Sequence, residues 1–458
     1  MRASYGSILR QRGAPRLVMT ALLGRIPVGM NALAVVLLVR RATGSYVDAG
    51  IVDAGLAVGA LLISPGQGRL VDRFGQPKVL IPSALISSAA LLGLDLGVHR
   101  HVGIALLTLF AAIGGGALPP MSASMRALWA SLISEPDRRD TAFALEAVLT
   151  EVYFIVGPLL TGLIVAVASP SAAVITSAVL SVVGTTAFAA SLPSRRWRAV
   201  RAKRTFAGPL ASPGMRTLVL SIVPMGLAFG TLEVAMPALA IRRGDPAAAG
   251  ILLAAFCVGS LIGGLLYGSR RWRGSAAQRY LILSALFAAG MTPLILAGSI
   301  PLMVVLMVLA GLTLAPVTAC MFTMIEEVAP PGTTTEAFAW IFTANMTGAA
   351  AGAAAAGALI HSSGIRAALL MPTCGVAAGF LLSLVRRRTL APLPAAAESR
   401  AGSGMAAGGV LPIEDANGRP AQTANRSALA AGLVLAAAVL GYRGRRGGSD
   451  SHRGARRG

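Results

Sequence analysis

The stretch GRLVDRFGQPK, residues 68–78, is a dense polar segment between two long apolar runs. Its charged side chains are Arg69, Asp72, Arg73 and Lys78. The glycines at its two turns, Gly68 and Gly75, permit a sharp backbone bend because glycine lacks a Cβ atom. The pattern predicts a short polar loop that joins the ends of two apolar helices.

The composition indicates an integral membrane protein. The chain has 458 residues, of which 55% are hydrophobic and 13% charged, whereas soluble domains carry about 25% charged residues. Its apolar residues occur in runs of about 20, the number that crosses a bilayer core as a helix. Buried helices of a large soluble protein would give runs of about 10–14 residues. We therefore expect an all-α protein embedded in a membrane.

Twelve transmembrane spans are predicted, joined mostly by short loops, so that neighbouring helices run antiparallel. The predicted spans cover residues 17–39, 47–67, 79–97, 103–125, 142–166, 171–192, 215–239, 247–268, 280–298, 300–324, 337–360 and 366–385. The segment 68–78 then connects spans 2 and 3.

The basic residues predict the orientation of these spans, since lysine and arginine accumulate in cytoplasmic loops. One side of the membrane holds the basic segments at 2–16, 68–78, 138–139, 194–204, 269–274 and 386–388. The other side holds only Arg40, Arg41, Arg100, Arg242, Arg243 and Arg366. We expect a multi-pass protein of the cell membrane with both termini in the cytoplasm.

The net charge of +22 has the same origin. The arginines lie between the apolar runs or in the tail, without the interleaved aromatic residues on which nucleic-acid bases stack. We therefore expect the lipid bilayer, and no nucleic acid, as the partner of these charges.

The chain carries an internal repeat at a nearly constant offset of 195–197 residues. GRLVDRFG begins at Gly68, and GLLYGSRR begins at Gly264. Further matched positions are Gly115, Pro120 and Met125 with Gly311, Pro316 and Met321, Gly157 and Gly162 with Gly352 and Gly357, and Pro27 and Gly29 with Pro224 and Gly226. Two related six-helix halves are typical of transporters whose halves rock around a central site.

The repeat and the composition divide the chain into four parts. We predict a six-helix bundle over 1–192, a basic cytoplasmic linker over 193–214 and a second six-helix bundle over 215–388. The tail, 389–458, is rich in Ala, Gly, Pro, Ser and Arg, a composition typical of disorder. Its apolar run at 428–442 is shorter than the usual minimum of about 17 residues, so a loose interfacial helix and a thirteenth span are both open.

Residues 68–78 closely resemble motif A of the major facilitator superfamily, G-x-L-x-D-R-x-G-R-K, in its usual place after the second helix. The matching residues are Gly68, Leu70, Asp72, Arg73, Gly75 and Lys78, and Gln76 replaces a common arginine. The resemblance covers residues 15–388 and implies the fold of that superfamily: twelve transmembrane helices in two bundles with pseudo-two-fold symmetry. It also implies secondary active transport by alternating access.

A second segment, GPLLTG at 157–162, looks like the tail of motif C, which marks antiporters in the drug-efflux branches. The matching residues are Gly157, Pro158 and Gly162, whereas further glycines of the motif are replaced by Ala144, Tyr153 and Thr161. The resemblance therefore favours the bacterial drug-efflux branch, and export over import.

The physical role of motif A is predicted to be a latch on the cytoplasmic side. Asp72 can accept hydrogen bonds from a helix N-terminus in the other half, where the helix dipole favours an anion. Arg73 can pair with a carboxylate or a lipid phosphate. A loop that serves only topology would explain Arg69 and Lys78, but not an aspartate between glycines. Position 268, the repeat of Asp72, is glycine, so we expect this anionic latch in the first half alone.

Ionisable residues inside predicted spans are costly and usually functional, and three of them are candidates for the central site. Glu151 and Glu233 are candidate proton carriers, since a carboxyl group in an apolar cavity can alternate between charged and neutral forms. Arg25 is a candidate counter-ion or a ligand for an anionic substrate group. A fixed salt bridge between helices is the alternative for all three.

Two further pairs are predicted around the central cavity. Glu146 lies near the cytoplasmic end of span 5, close to Arg126, and the two are expected to form a gating ion pair. Trp340 and Asn345 in span 11 can line the cavity, although a lipid-facing position is equally open for Trp340. The acids before and at the start of span 11, Glu326, Glu327 and Glu336, are natural partners for the basic loops.

These features predict a transporter and exclude the common enzyme classes. The chain has no P-loop, H-E-x-x-H, G-x-S-x-G or C-x-x-C motif, so we expect no enzymatic activity, no cofactor and no metal site. Energy must then come from an ion gradient. We predict a monomeric, proton-coupled exporter of small molecules. An uptake symporter or a carrier for one metabolite is the alternative, and a non-transporting membrane protein is a further one.

Overall fold

The computed structural model describes residues 5–392, except for 11–12, 201–206, 246–247, 271, 273 and 297–298. All regular secondary structure within these residues is helical. The predicted tail, apart from residues 389–392, lies outside the described residues, and so does its apolar run at 428–442.

Each predicted span corresponds to one helix or to two consecutive ones. The α-helices are α1 (Tyr5–Leu9), α2 (Ala14–Thr43), α3 (Tyr46–Phe74), α4 (Gln76–His99), α5 (Ile104–Gly116), α6 (Met121–Leu132), α7 (Pro136–Val167), α8 (Pro170–Ala189), α9 (Leu192–Arg196), α10 (Pro213–Arg242), α11 (Ala248–Gly268), α12 (Ala276–Met291), α13 (Ile300–Gly311), α14 (Leu314–Val328), α15 (Thr334–Ser362) and α16 (Ile365–Val385). Short 3-10 helices lie at Gly208–Ala211, Thr292–Leu296 and Arg387–Leu390.

The long helices form twelve columns, in which α5 with α6 and α13 with α14 each count as one. Among the described residues, eleven columns are long and apolar enough to cross a membrane. The twelfth, α15, has 29 residues and packs within the same bundle. The prediction of an all-α, multi-pass membrane protein is confirmed.

Columns 4 and 10 are each interrupted, which the sequence pattern did not predict. α5 ends at Gly116, and α6 begins after Pro119 and Pro120. Column 4 is interrupted here because proline lacks the N–H that would continue the helical hydrogen bonds. In the second half, α13 ends at Gly311 and α14 begins at Leu314. The two breaks occupy repeat-matched positions, so the internal repeat extends to irregular features of the backbone.

Repeat-matched glycines let helices pack backbone to backbone within each half. A Cβ at Gly29 of α2 would lie 3.3 Å from Cα of Gly157 in α7 and would overlap a backbone oxygen of α7. At the matched position in the second half, a Cβ at Gly226 of α10 would overlap the carbonyl oxygen of Asn345 in α15. Such close crossings are typical of small residues in membrane helices. They fix the orientation of α7 and α15, the helices that carry most of the candidate site.

The two halves, α2–α8 and α10–α16, meet most tightly at one end of the molecule. We call this end the linker side, because it holds the turn between α3 and α4 and the described parts of the linker, α9 and the short helix Gly208–Ala211. Three aromatic rings join there: Phe143 of α7, Phe322 of α14 and Phe338 of α15. The ring centroids of Phe143 lie 6.3 Å from those of both other residues, and those of Phe322 and Phe338 are 5.8 Å apart. We call these three rings, which join α7 of the first half to α14 and α15 of the second, the aromatic plug.

Candidate functional site

The 68–78 segment forms the end of α3, a sharp turn and the start of α4. Gly75 has a φ of 88° and its N–H bonds the carbonyl oxygen of Val71. This left-handed region strains residues that have a side chain, so the turn requires glycine at this position. Pro77 sits in the first turn of α4, where no hydrogen-bond donor is needed.

Asp72 caps a helix of the opposite half. Its two carboxylate oxygens accept hydrogen bonds from the backbone N–H groups of Thr335, at 3.1 Å, and of Glu336, at 2.9 Å. These donors belong to the first turn of α15, where N–H groups have no partner within the helix. The residue at the N-cap position, Thr333, does not cap them, because its hydroxyl donates to the carbonyl oxygen of Pro330. The capping anion of α15 is therefore supplied by α3.

Two neighbours of Asp72 complete the contact. Arg69 binds the Glu336 carboxylate with both arms, Nε to Oε2 at 3.1 Å and Nη2 to Oε1 at 2.9 Å. A Cβ at Gly68 would lie 2.7 Å from Cα of Glu336, so glycine allows α3 and α15 to touch. The prediction that Glu336 is a partner for a basic loop is confirmed. From the sequence, membrane topology alone explains Arg69, whereas in the structure Arg69 takes part directly in the contact between α3 and α15.

The remaining residues of the segment have other positions. Arg73 and Lys78 are exposed, and the Arg73 guanidinium lies 5.1 Å from the ring centroid of Phe74. Gln76 is fully buried, donates to the carbonyl oxygen of Ser124 at 2.9 Å and accepts from Ser194 at 2.8 Å. The apparent departure from the motif thus ties the turn to α6 and α9.

A second group of contacts joins the halves on the linker side. Asp140 of α7 accepts hydrogen bonds from Arg279 of α12, at 2.6 Å, and from Thr323 of α14, at 2.8 Å. Arg139 forms an ion pair with Glu326 of α14, which confirms Glu326 as a partner for a basic segment. The linker-side end of α7 is therefore held to the second half by charged contacts.

The predicted gating pair is replaced by two different contacts. Glu146 is fully buried and binds Arg25 Nη1 at 2.7 Å and Trp129 Nε1 at 3.0 Å, all within the first half. Arg126 instead lies over the aromatic plug, 3.9 Å from the ring centroid of Phe322. The reason is the register of α2, which places Arg25 directly beside Glu146. Arg25 thus has the fixed interhelical salt bridge that the sequence left as an alternative.

Glu151 contacts the opposite half from the middle of α7. Its Oε1 accepts a hydrogen bond from the hydroxyl of Ser260 in α11 at 2.9 Å, and Cys257 lies one turn earlier on the same helix. Glu233, the other candidate proton carrier, is exposed on α10 of the second half. We call Glu151, Cys257 and Ser260 the acidic cluster.

The other candidate residues lie around this interface. Trp340 and Asn345 are both half-buried on α15, and Thr343 between them donates to the Leu61 carbonyl oxygen of α3 at 3.4 Å. Gly157 packs on α2, Pro158 is half-buried inside α7, and Gly162 faces open space. Among the described residues, no group of three or more His, Cys, Asp and Glu has the arrangement of a metal site.

The sequence profile of the Major Facilitator Superfamily matches residues 17–214 and 218–443. The chain belongs to this superfamily. Because its members are transporters and not enzymes, the protein is a membrane transporter without enzymatic activity. No curated protein matched the sequence.

Solved structures share the fold of this transporter at low sequence identity. A bacterial homologue of the iron transporter ferroportin, in an outward-facing state, is 13% identical with a TM-score of 0.67, over 82% of this chain and 99% of that one. The human organic anion transporter TETRAN is 17% identical with a TM-score of 0.64, over 80% and 99%. The E. coli fucose:proton symporter FucP is 13% identical with a TM-score of 0.64, over 81% and 98%.

Several residues of the interface were missed by sequence reasoning. Ser260 and Cys257 are small residues in an apolar helix, and the sequence offers no signal that they meet a carboxylate of the other half. Arg279 and Asp140 lie at helix starts beside basic loops, where charge is ordinary. Among the charged residues of the transporter's linker side, only Asp72 could be recognised from the sequence as a contact between the halves, because of its spacing to two glycines.

Proposed function

We propose that this transporter is a proton-coupled exporter of small molecules that works by alternating access, with the linker side facing the cytoplasm. The contact between Glu151 and Ser260 carries the proposal. It places an ionisable group of one half against a neutral donor of the other half, at the level where a central substrate would bind. Binding of a proton to the Glu151 carboxyl group changes the charge at the interface between the halves, which must separate during transport.

The chemistry of the acidic cluster supports proton exchange. A charged carboxylate inside a membrane span is costly unless it is paired, and the hydrogen-bond partner of Glu151 is a neutral hydroxyl, that of Ser260. Of the two buried arginines of the first half, Arg25 is already bound to Glu146, and Arg126 lies over the ring of Phe322. Glu151 can therefore bind and release a proton without breaking a salt bridge, whereas Glu146 cannot.

The linker-side contacts support a closed cytoplasmic gate. Asp72, Arg69 and the Asp140 group each join the two halves, and the aromatic plug lies beneath them. All must separate for the interior to open on this side. The basic segments at 68–78 and 194–200 lie on the same side, where the positive-inside rule places the cytoplasm and both termini of a cell-membrane protein.

Export is the direction favoured by the segment at 157–162. Gly157 brings α7 into backbone contact with α2, so the antiporter-like segment holds the helix that carries Glu151. Efflux of drug-like molecules by a monomer is the form of transport that this resemblance implies.

The test uses the full-length protein in proteoliposomes with an imposed pH gradient, with ethidium as a cationic probe and chloramphenicol as a neutral one. Addition of a transported probe should dissipate the gradient in the wild type, and Glu151→Gln should abolish this proton flux. Glu135→Gln is the control, because Glu135 is an exposed acid at the start of the same helix. Undiminished proton flux in Glu151→Gln refutes the carrier assignment. Probe uptake down the proton gradient would indicate a symporter.

A further inference from the structure

The second half of the transporter has lost the latch residue that the first half uses. Gly68 and Asp72 of α3 correspond, at the repeat offset, to Gly264 and Gly268 of α11. Asp72 caps α15, but Gly268 has no side chain with which to cap α7, the helix matched to α15. The contact on this side of the pseudo-symmetric interface must therefore be made in another way.

Tyr5 of α1 occupies the vacant place. Its hydroxyl donates a hydrogen bond to the carbonyl oxygen of Gly264 at 2.5 Å. A Cβ at Gly268 would overlap the Tyr5 hydroxyl, so the phenol fills the volume that an aspartate side chain would need. Burial raises the pKa of Tyr5 to about 12, so the hydroxyl keeps its proton and remains a donor at neutral pH.

α1 belongs to the first half, although Tyr5 touches the second. Ile8 is fully buried in the main hydrophobic core, and α1 packs against α7 and α2. Tyr5 is thus anchored on one half and bonded to α11 of the other, and that bond cannot persist when the halves separate on the linker side.

The start of α7 explains why an anion is not needed there. Pro136 at its first position has no N–H, and Asp137 supplies a negative charge within the first turn. α15 likewise has an acid in its first turn, Glu336, but no proline at its start, and the N–H groups of Thr335 and Glu336 are bound by Asp72. A neutral donor directed at a carbonyl oxygen of α11 is therefore sufficient on the second side.

We propose that Tyr5 is a positioning residue of the transport cycle, which replaces the missing second latch and holds the linker side closed together with Asp72. The role rests on the proposed alternating access, but not on the substrate or on proton coupling.

Native Cys320 provides the readout. It is 1% exposed, lies 3.0 Å from the Tyr267 hydroxyl, and sits one turn before Thr323, which contacts α7 across the interface. We expect opening of the linker side to uncover it, since Thr323 then leaves α7, whereas Cys374 lies on the outer surface of α16, away from the first half. The full-length protein in nanodiscs is treated with N-ethylmaleimide, and modification of each cysteine is followed by peptide mass spectrometry.

Tyr5→Phe removes the hydroxyl and keeps the ring. The loss of one neutral hydrogen bond from the closed state should raise the Cys320 labelling rate about two- to tenfold, with Cys374 unchanged. Gly268→Ala should have the same effect by displacing the phenol, and the double variant should exceed neither single variant, because both act on one contact. Arg10→Gln, an exposed change beside α1, should label at the wild-type rate.

Wild-type labelling in both Tyr5→Phe and Gly268→Ala overturns the proposal, and so does an equal increase in Arg10→Gln. The measurement uses neither a substrate nor a pH gradient. A failure of proton-coupled export in the Glu151 experiment therefore leaves this result intact, and a failure here leaves proton coupling untouched.

Discussion

Removal of the Asp72 carboxylate should shift the transporter away from its closed linker side. Asp72→Asn keeps one oxygen acceptor, so it loses one of the two hydrogen bonds to the first turn of α15 together with the negative charge. Hydrogen bonds to charged groups contribute about 1.5–3 kcal/mol, and an anion at a helix N-terminus about 0.3–1 kcal/mol. The amide retains part of both, so we expect a net loss of roughly 1–2 kcal/mol, or a five- to thirtyfold change in the ratio of closed to open molecules.

Labelling of Cys320 in nanodiscs reports on this ratio, because Cys320 is buried in the closed state and we expect separation of the halves to uncover it. The labelling rate should rise five- to thirtyfold in Asp72→Asn and further in Asp72→Ala, which has no side-chain acceptor. Asp95→Asn is the matched control: it removes the same charge from α4, where Asp95 lies near His99 and away from the interface. Transport turnover should fall in Asp72→Asn while the amount of folded protein stays constant.

The reasoning is refuted if Asp72→Asn labels Cys320 at the wild-type rate, since the two hydrogen bonds would then contribute nothing to closure. A similar increase in Asp95→Asn would also refute it, because the effect would then come from net charge. Thermal unfolding of both variants should remain within a few degrees of the wild type, which separates a shift in conformation from a loss of stability.

Two further predictions concern the interior of the first half and the aromatic plug. Glu146→Gln should destabilise the protein by about 3–5 kcal/mol, because it leaves Arg25 buried without its counter-charge. The measurement is the unfolding temperature, which should fall. The double change Arg25→Met with Glu146→Leu should recover most of the lost stability. Arg126→Gln removes the cation over Phe322 but little volume, so it should raise Cys320 labelling about two- to thirtyfold with an unchanged unfolding temperature; a labelling rate equal to the wild type contradicts a closing role for Arg126.

Much of the fold could be predicted because the relevant signals are local or periodic. Apolar runs of bilayer length define the columns, and the spacing of Gly29 and Gly157 to Gly226 and Gly352 defines the repeat. The breaks in columns 4 and 10 were missed, since hydropathy stays high across them. The contact of Asp72 with the other half was predicted because motif A concentrates its residues in one short segment, 68–78, next to a helix end that must face the other half.

The chemistry of the interface was predictable only in part. Glu146 could in principle have bound either Arg126 or Arg25, since both lie in the same half at similar depth. The choice depends on the rotation and axial position of α2, α6 and α7, which differ by fractions of a turn. The same is true of Ser260, whose hydroxyl meets Glu151 only because α11 crosses α7 at that level.

The sequence by itself determined the class of protein, the number of membrane columns, the two-fold repeat and the segment that joins the halves on one side. These properties follow from hydropathy, charge distribution and glycine spacing along one chain. Only the tertiary structure decided that Asp72 caps α15, that Arg69 joins it, and that Tyr5 fills the place left by Gly268. Each of those contacts pairs residues more than 250 positions apart, and their meeting depends on how two separately packed halves dock.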